Sequence, residues 1–215
     1  LAQLAATLCA FWEAAAVAAP ATRFGEPEQI LAAARENFAE LRQLMPPADQ
    51  PQIEQLARWT EDEFALRAAN FAARKAGGRV REGHGDLHLG NLALIDGRVT
   101  PFDCIEFNED FRWNDVASEI AFVWIDLLDH RRPGLAAWFL NAWLEAGGDF
   151  GALAVLRFYA LYRSMVRAKV AALRARQEDA ADRLADLDSA RIYFQLGRQI
   201  AAPPAPTLVI TCGVS

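Results

Sequence analysis

Residues 84–103 gather the side chains best suited to chemistry. The run reads His84-Gly85-Asp86-Leu87-His88-Leu89-Gly90-Asn91, then a short apolar stretch, then Pro101-Phe102-Asp103. A carboxylate on a tight loop can orient a hydroxyl and accept its proton, which makes Asp86 a candidate general base. Magnesium is a hard cation that takes oxygen donors and keeps part of its water shell, so the amide oxygen of Asn91 and the carboxylate of Asp103 suit it. A base and two oxygen ligands are what phosphoryl transfer from a magnesium-bound nucleotide to an alcohol asks of a protein. The same run has a second reading, because His84, Asp86 and His88 alternate as metal ligands on one strand face would, the pattern of metal-dependent hydrolysis. His130 is the only other histidine, so any further ligands would be carboxylates and Asn91.

Something must fold the chain back so that Asn91 and Asp103 meet. Residues 91–95 and 98–102 flank Asp96-Gly97, a two-residue turn whose positive backbone dihedrals suit a β-hairpin. It is the one β element that the pattern predicts in the body of the chain. Helices are predicted on either side. Residues 1–19, 27–45 and 51–76 come first, with Ile30, Leu31, Phe38, Leu41 and Leu44 at helical spacing, punctuated by Pro20, Pro46-Pro47 and Gly77-Gly78. Residues 115–130, 133–146, 151–177 and 179–200 follow, broken at Gly147-Gly148, with Trp124, Trp138, Phe139, Trp143, Phe158, Tyr159 and Tyr162 as core candidates. His130, beside Asp129 and two arginines at a helix end, reads as a surface or capping residue. The fold class is α+β, mainly helical, with the reactive loop leading into the hairpin.

From about residue 82 to 122 the chain resembles the aminoglycoside phosphotransferase and choline kinase group of protein kinase-like enzymes. Their catalytic loop reads His-Gly-Asp-x-His-x-x-Asn and continues to an Asp at the end of the hairpin's second strand. The resemblance implies Asp86 as catalytic base, Asn91 as a Mg2+ ligand and Asp103 as the main Mg2+ ligand, with ATP as co-substrate and a small hydroxylated molecule as acceptor. It makes His84 the loop-shaping histidine and Asp115, in Asn114-Asp115-Val-Ala-Ser-Glu119, an acid that braces the catalytic loop. His88, Glu106 and Arg112 become candidates for the substrate cleft, with loop packing or a loop salt bridge as the alternative. Residues 102–122 are more similar still to a bacterial subgroup in which such a domain is fused to a C-terminal P-loop ATPase or kinase domain.

The chain departs from that family at its start. Such enzymes carry an N-terminal lobe with a glycine-rich loop over the phosphates and a strand lysine, but the two lysines here, Lys75 and Lys169, lie in predicted helices and no Gly-x-Gly-x-x-Gly occurs. Residues 1–200 therefore read as a kinase-like C-terminal lobe without its N-terminal lobe, with weak or absent ATP binding in isolation. Residues 201–206 read as a Pro-rich linker, and 207–215, where Thr207-Leu-Val-Ile-Thr211 enters Cys212-Gly213-Val214-Ser215, as the first strand of a truncated P-loop domain. A sequence that opens on Leu1 and closes just after that run reads as a fragment whose partners are its own missing N-terminal lobe and the P-loop domain. A non-catalytic, ligand-binding or regulatory lobe controlling that domain is the alternative function.

Composition narrows the partners. A net charge of −6 lacks the basic footprint that nucleic acid or an anionic membrane requires. Cys9, Cys104 and Cys212 form no Cys-x-x-Cys pair, which signals neither a disulfide framework nor a zinc site. The Ala-rich run at residues 1–19 is interrupted by Gln3, Thr7 and Glu13 and has no basic leader, so neither a membrane span nor a signal peptide is expected, and the location expected is cytoplasmic.

Overall fold

A computed structural model describes residues 1–177 and 179–203. Helices α1 (Ala2–Ala14), α2 (Pro27–Leu44) and α3 (Gln50–Ala76) precede strand β1 (Val80–Glu82). The hairpin β2 (Leu92–Ile95) and β3 (Arg98–Pro101) follows, then the single turn α4 (Glu109–Arg112) and β4 (Trp113–Asp115). The chain closes with α5 (Val116–Asp129), α6 (Pro133–Gly147), α7 (Leu153–Ala175) and α8 (Ala180–Ala201). The architecture is mainly helical and α+β, as the periodicity predicts. Pro27 and Pro133 open α2 and α6 at a position whose amide needs no partner, and Gly148 ends α6 with φ 63°.

Helix α7 lies at the centre, against α2, α3, α5 and α8. Its buried alanines, Ala160, Ala168, Ala171, Ala172 and Ala175, leave room for neighbours to approach closely. Phe71 of α3 meets Phe158 of α7 edge to face at 5.0 Å and Tyr159 at 5.6 Å. On α6 the buried stripe is Ala136, Phe139 and Trp143, spaced three and four apart. Trp138 falls off that stripe and is half exposed, contrary to the core role its type suggests.

Two β features go beyond the single hairpin expected. Strand β1 pairs antiparallel with β4, Val80 opposite Asp115 and Glu82 opposite Trp113. Helix α1 stops at Ala14 rather than near residue 19 because the next residues lie along the other edge of β1, where Glu82 N–H donates to the Ala16 carbonyl and Ala18 N–H to the Val80 carbonyl, both at 2.9 Å. Three-residue strands are too short to display alternation, which is why the pattern hid them. Residues 204–206 of the expected linker and the strand expected at 207–211 lie outside the described residues. Among the described residues no helix is long and apolar enough to cross a membrane.

Candidate functional site

The reactive loop leaves β1 at Gly83, whose amide donates to the Arg112 carbonyl at 2.8 Å, so loop and β4 start side by side. The loop ends in a 3-10 turn, Leu89–Asn91, whose cap is His88: its Nδ1 accepts from Gly90 N–H at 3.1 Å. The hairpin then pairs Leu92 with Pro101, and Asp96 and Gly97 take φ values of 49° and 75°, the turn that Asp-Gly predicts. One more bond, Phe102 N–H to the Asn91 carbonyl at 3.0 Å, brings the chain on either side of the hairpin together, so Asn91 and Asp103 arrive at the same end of it.

His84 ties the loop to that end. The buried ring donates from Nε2 to the Phe102 carbonyl at 2.7 Å and accepts the Asp86 amide on Nδ1 at 3.3 Å, which one neutral tautomer satisfies. The His84 carbonyl takes Ile105 N–H at 3.0 Å. Asp103, held between these anchors, is exposed and has φ 58°, a left-handed conformation uncommon outside glycine that concentrates at functional positions.

Asp86 is half-buried. Asn91 Nδ2 donates to its backbone carbonyl at 2.9 Å and to its Oδ2 at 3.3 Å, and His88 Nε2 stands 3.4 Å from the same Oδ2. Burial by itself raises the carboxyl's pKa; the His88 hydrogen bond and the nearby positive charge of Arg163 outweigh it and hold Asp86 below its ordinary value. The group is therefore ionised at neutral pH. Asn91 is buried, and with Nδ2 turned to Asp86 its oxygen is the atom left to accept. The amide oxygen of Asn91 and the carboxylate of Asp103 are hard donors of the kind that magnesium takes.

The brace of this loop is not the residue expected. Asp115 is buried and caps α5, accepting Ala117 N–H at 2.9 Å, while Arg74 of α3 donates to both its oxygens at 2.7 Å and Tyr159 approaches at 3.4 Å. Among the described residues its hydrogen bonds reach none of 84–91. Glu119, one helical turn on, does: Oε1 accepts Gly85 N–H at 2.5 Å and Oε2 accepts Trp12 Nε1 at 3.2 Å. From α7, buried Arg163 donates to the Gly85 carbonyl at 3.0 Å and to Ser118 Oγ at 3.1 Å. Glu119 carried a signal, as a lone charge inside an apolar helical run, and such groups are buried only when paired; Arg163, four residues from Arg167 on the same helix, did not stand out in that way.

The remaining candidates are placed as follows. Arg112 forms a salt bridge with Glu82 at 3.0 Å, the structural alternative to a cleft role. Glu106 is exposed just beyond Asp103. His88 packs its ring against Phe122 at 5.5 Å while bonding Gly90. His84 spends both nitrogens within the protein, so the alternating His-Asp-His pattern does not supply a ready metal triad. A different trio, Asp126, Asp129 and His130, brings ligand atoms within 4.8 Å of one another among the described residues. Arg167 already supplies a cation there, 3.8 Å from Asp126 Oδ1 and bonded to the Tyr193 hydroxyl, which in turn donates to Asp129 at 3.0 Å. This latch reaches the loop through Asp126, whose Oδ2 accepts Leu89 N–H at 2.9 Å. His130 caps α5, its Nδ1 against the Asp126 carbonyl at 2.8 Å, in line with its expected place.

Neither lysine approaches this site as a free group. Lys75 is buried, paired with Glu26 and bonded to the Thr22 carbonyl, and Lys169 faces Glu40 at 3.4 Å.

Over 175 residues the chain is 33% identical to "Uncharacterized protein Rv2004c" of Mycobacterium tuberculosis (strain ATCC 25618 / H37Rv), and equally to "Uncharacterized protein Mb2027c" of Mycobacterium bovis. The match takes in 80% of this chain and 35% of each relative, so the chain spans about a third of the length of the curated relatives it matches. No family model matches the chain, and no solved structure matches it.

Proposed function

We propose that residues 84–103 are the catalytic loop of an ATP- and Mg2+-dependent phosphotransferase that acts on a hydroxyl of a small molecule, within a kinase-like C-terminal lobe. One arrangement carries this reading: Asn91 bonded to Asp86 on one side of the hairpin, with Asp103 delivered to the same end on the other.

Asp86 is the base. Its Oδ2 faces Asn91 and His88, which leaves Oδ1 to receive the acceptor's proton. His84 fixes the height of the loop against the strand end, and Asn91 and Asp103 supply the oxygens that hold magnesium. When bound, the metal neutralises the phosphate oxygens during transfer. The phosphate-covering loop and its lysine come, in this proposal, from the part of the protein outside this chain.

The second reading is a non-catalytic lobe that regulates a neighbouring nucleotide-binding domain; the pairing of both lysines of this chain with acids is compatible with either reading. Phosphate transfer from ATP by the full-length protein, tested against sugars, aminoglycosides and amino alcohols, separates the two. Asp86→Asn is expected to cost about a hundredfold to ten-thousandfold in rate, the usual contribution of a positioned base. Transfer at the wild-type rate in Asp86→Asn sinks the catalytic reading and leaves the regulatory one.

A further inference from the structure

The two peptide groups that meet at Gly85 are each held by a buried charged side chain, on two different helices. Glu119 of α5 takes the Gly85 N–H, and Arg163 of α7 holds the carbonyl. The grip is close. A Cβ at Gly85 would stand 2.6 Å from the Phe111 carbonyl oxygen, and one at Gly83 would meet the Glu119 carboxylate at 2.7 Å. Arg163 is 5% exposed, and its guanidinium carbon lies 4.9 Å from the Phe122 ring centre. Its Nη2 is buried with no hydrogen-bond partner among the described residues, a costly feature for a residue serving stability alone. An apolar side chain would fill that place more cheaply.

We propose that Arg163 is a positioning residue for the Asp86 site: by fixing the Gly85 carbonyl it sets the direction in which Asp86 leaves the loop, and it stands as a permanent cation behind the base. The proposal rests on the phosphotransferase reading. The peptide plane that Arg163 holds ends at the Asp86 Cα, so turning it swings the carboxylate away from Asn91 and His88. Glu119 alone would anchor only the preceding peptide plane, His84–Gly85, and leave the one that carries Asp86 free to turn about the Gly85 Cα.

The test uses the full-length protein with Arg163→Met, Arg163→Lys and Asp86→Asn, reading kcat and KM for ATP together with amide exchange at Gly85. In Arg163→Met, kcat should fall about tenfold to a hundredfold, the scale of a small misplacement of a reacting group, with KM for ATP nearly unchanged. Exchange at Gly85 should quicken. Arg163→Lys keeps the charge and one donor but loses the planar fork, so its kcat should lie between wild type and Arg163→Met. If Arg163→Met fails to fold, Arg163→Lys decides. A wild-type kcat in Arg163→Lys, with transfer abolished by Asp86→Asn, overturns the positioning role alone. Transfer that persists in Asp86→Asn removes the phosphotransferase reading and this proposal with it.

Discussion

Asn91 and Asp86, five residues apart, are joined twice: one amide nitrogen donates to the Asp86 backbone carbonyl at 2.9 Å and to its carboxylate at 3.3 Å. The pair of hydrogen bonds fixes which way the amide faces and turns its oxygen away from the base. The candidate metal ligand and the candidate base are thus one mechanical unit, and a change in either is felt by the other.

Asn91→Asp tests that unit. The substitution sets a second carboxylate about where a donor stood, beside Asp86 Oδ2, and like charges at that range repel by about 1 kcal/mol or more. The variant should melt below wild type without Mg2+ and recover when Mg2+ is added. A melting temperature indifferent to Mg2+ would take Asn91 out of the metal's reach.

Gly85→Ala tests the loop backbone. Gly85 has φ 85°, and a Cβ there meets the Phe111 carbonyl oxygen at 2.6 Å, backbone that cannot rotate aside. Left-handed strain alone costs about 1 kcal/mol and the contact adds to it, so urea unfolding should show a loss of about 2–4 kcal/mol. Gly97→Ala is the control: it shares a positive φ but meets nothing within 4 Å, and should cost only the strain.

The hairpin and nearly every helix were legible because their signals are local. Asp96-Gly97 carries its own turn chemistry, and Leu31, Phe38 and Leu41 repeat at helical spacing over several turns. The loop's brace was not legible in the same way. Asp115, the N-cap of α5, and Glu119 in its first turn lie four apart, and sequence alone does not say which turns toward Arg74 and which toward Gly85. That choice depends on the β1–β4 pairing, which presses Asp115 against Val80 and leaves Glu119 beneath the loop. Arg163 was hidden for a similar reason, since its partner lies 78 residues away.

Arg74 joins α3 to two buried acids, Asp115 and Asp149, with bonds of 2.7–2.9 Å. Removing the cation leaves Asp115 without its charged partner and Asp149 with only Arg79, 3.8 Å away, whereas removing one acid leaves Arg74 still paired. Arg74→Met should therefore destabilise by about 3–5 kcal/mol, and Asp149→Asn by clearly less, in denaturant titrations. Equal losses would mean that Arg74 is not the shared partner on which both acids depend.

Helices α2 and α3 are clasped on their exposed side by two forked pairs, Arg35 with Glu61 and Arg42 with Glu54. The arginine hydrogen bonds hold both carboxyls below their ordinary pKa, against a smaller opposing effect of burial. A depressed carboxyl pKa in the folded state means that the unfolded chain binds protons more readily. The clasp therefore contributes fully above the ordinary carboxylate value of about 4.3 and fades as pH falls through the lowered values. The double variant Glu54→Gln/Glu61→Gln should melt below wild type at neutral pH, by a small margin that salt reduces because the pairs are exposed. Thermal melts repeated at decreasing pH should show the two curves converging in acid. A gap that stays constant across the acid range would show that the difference comes from packing of the side-chain stems, not from the charges.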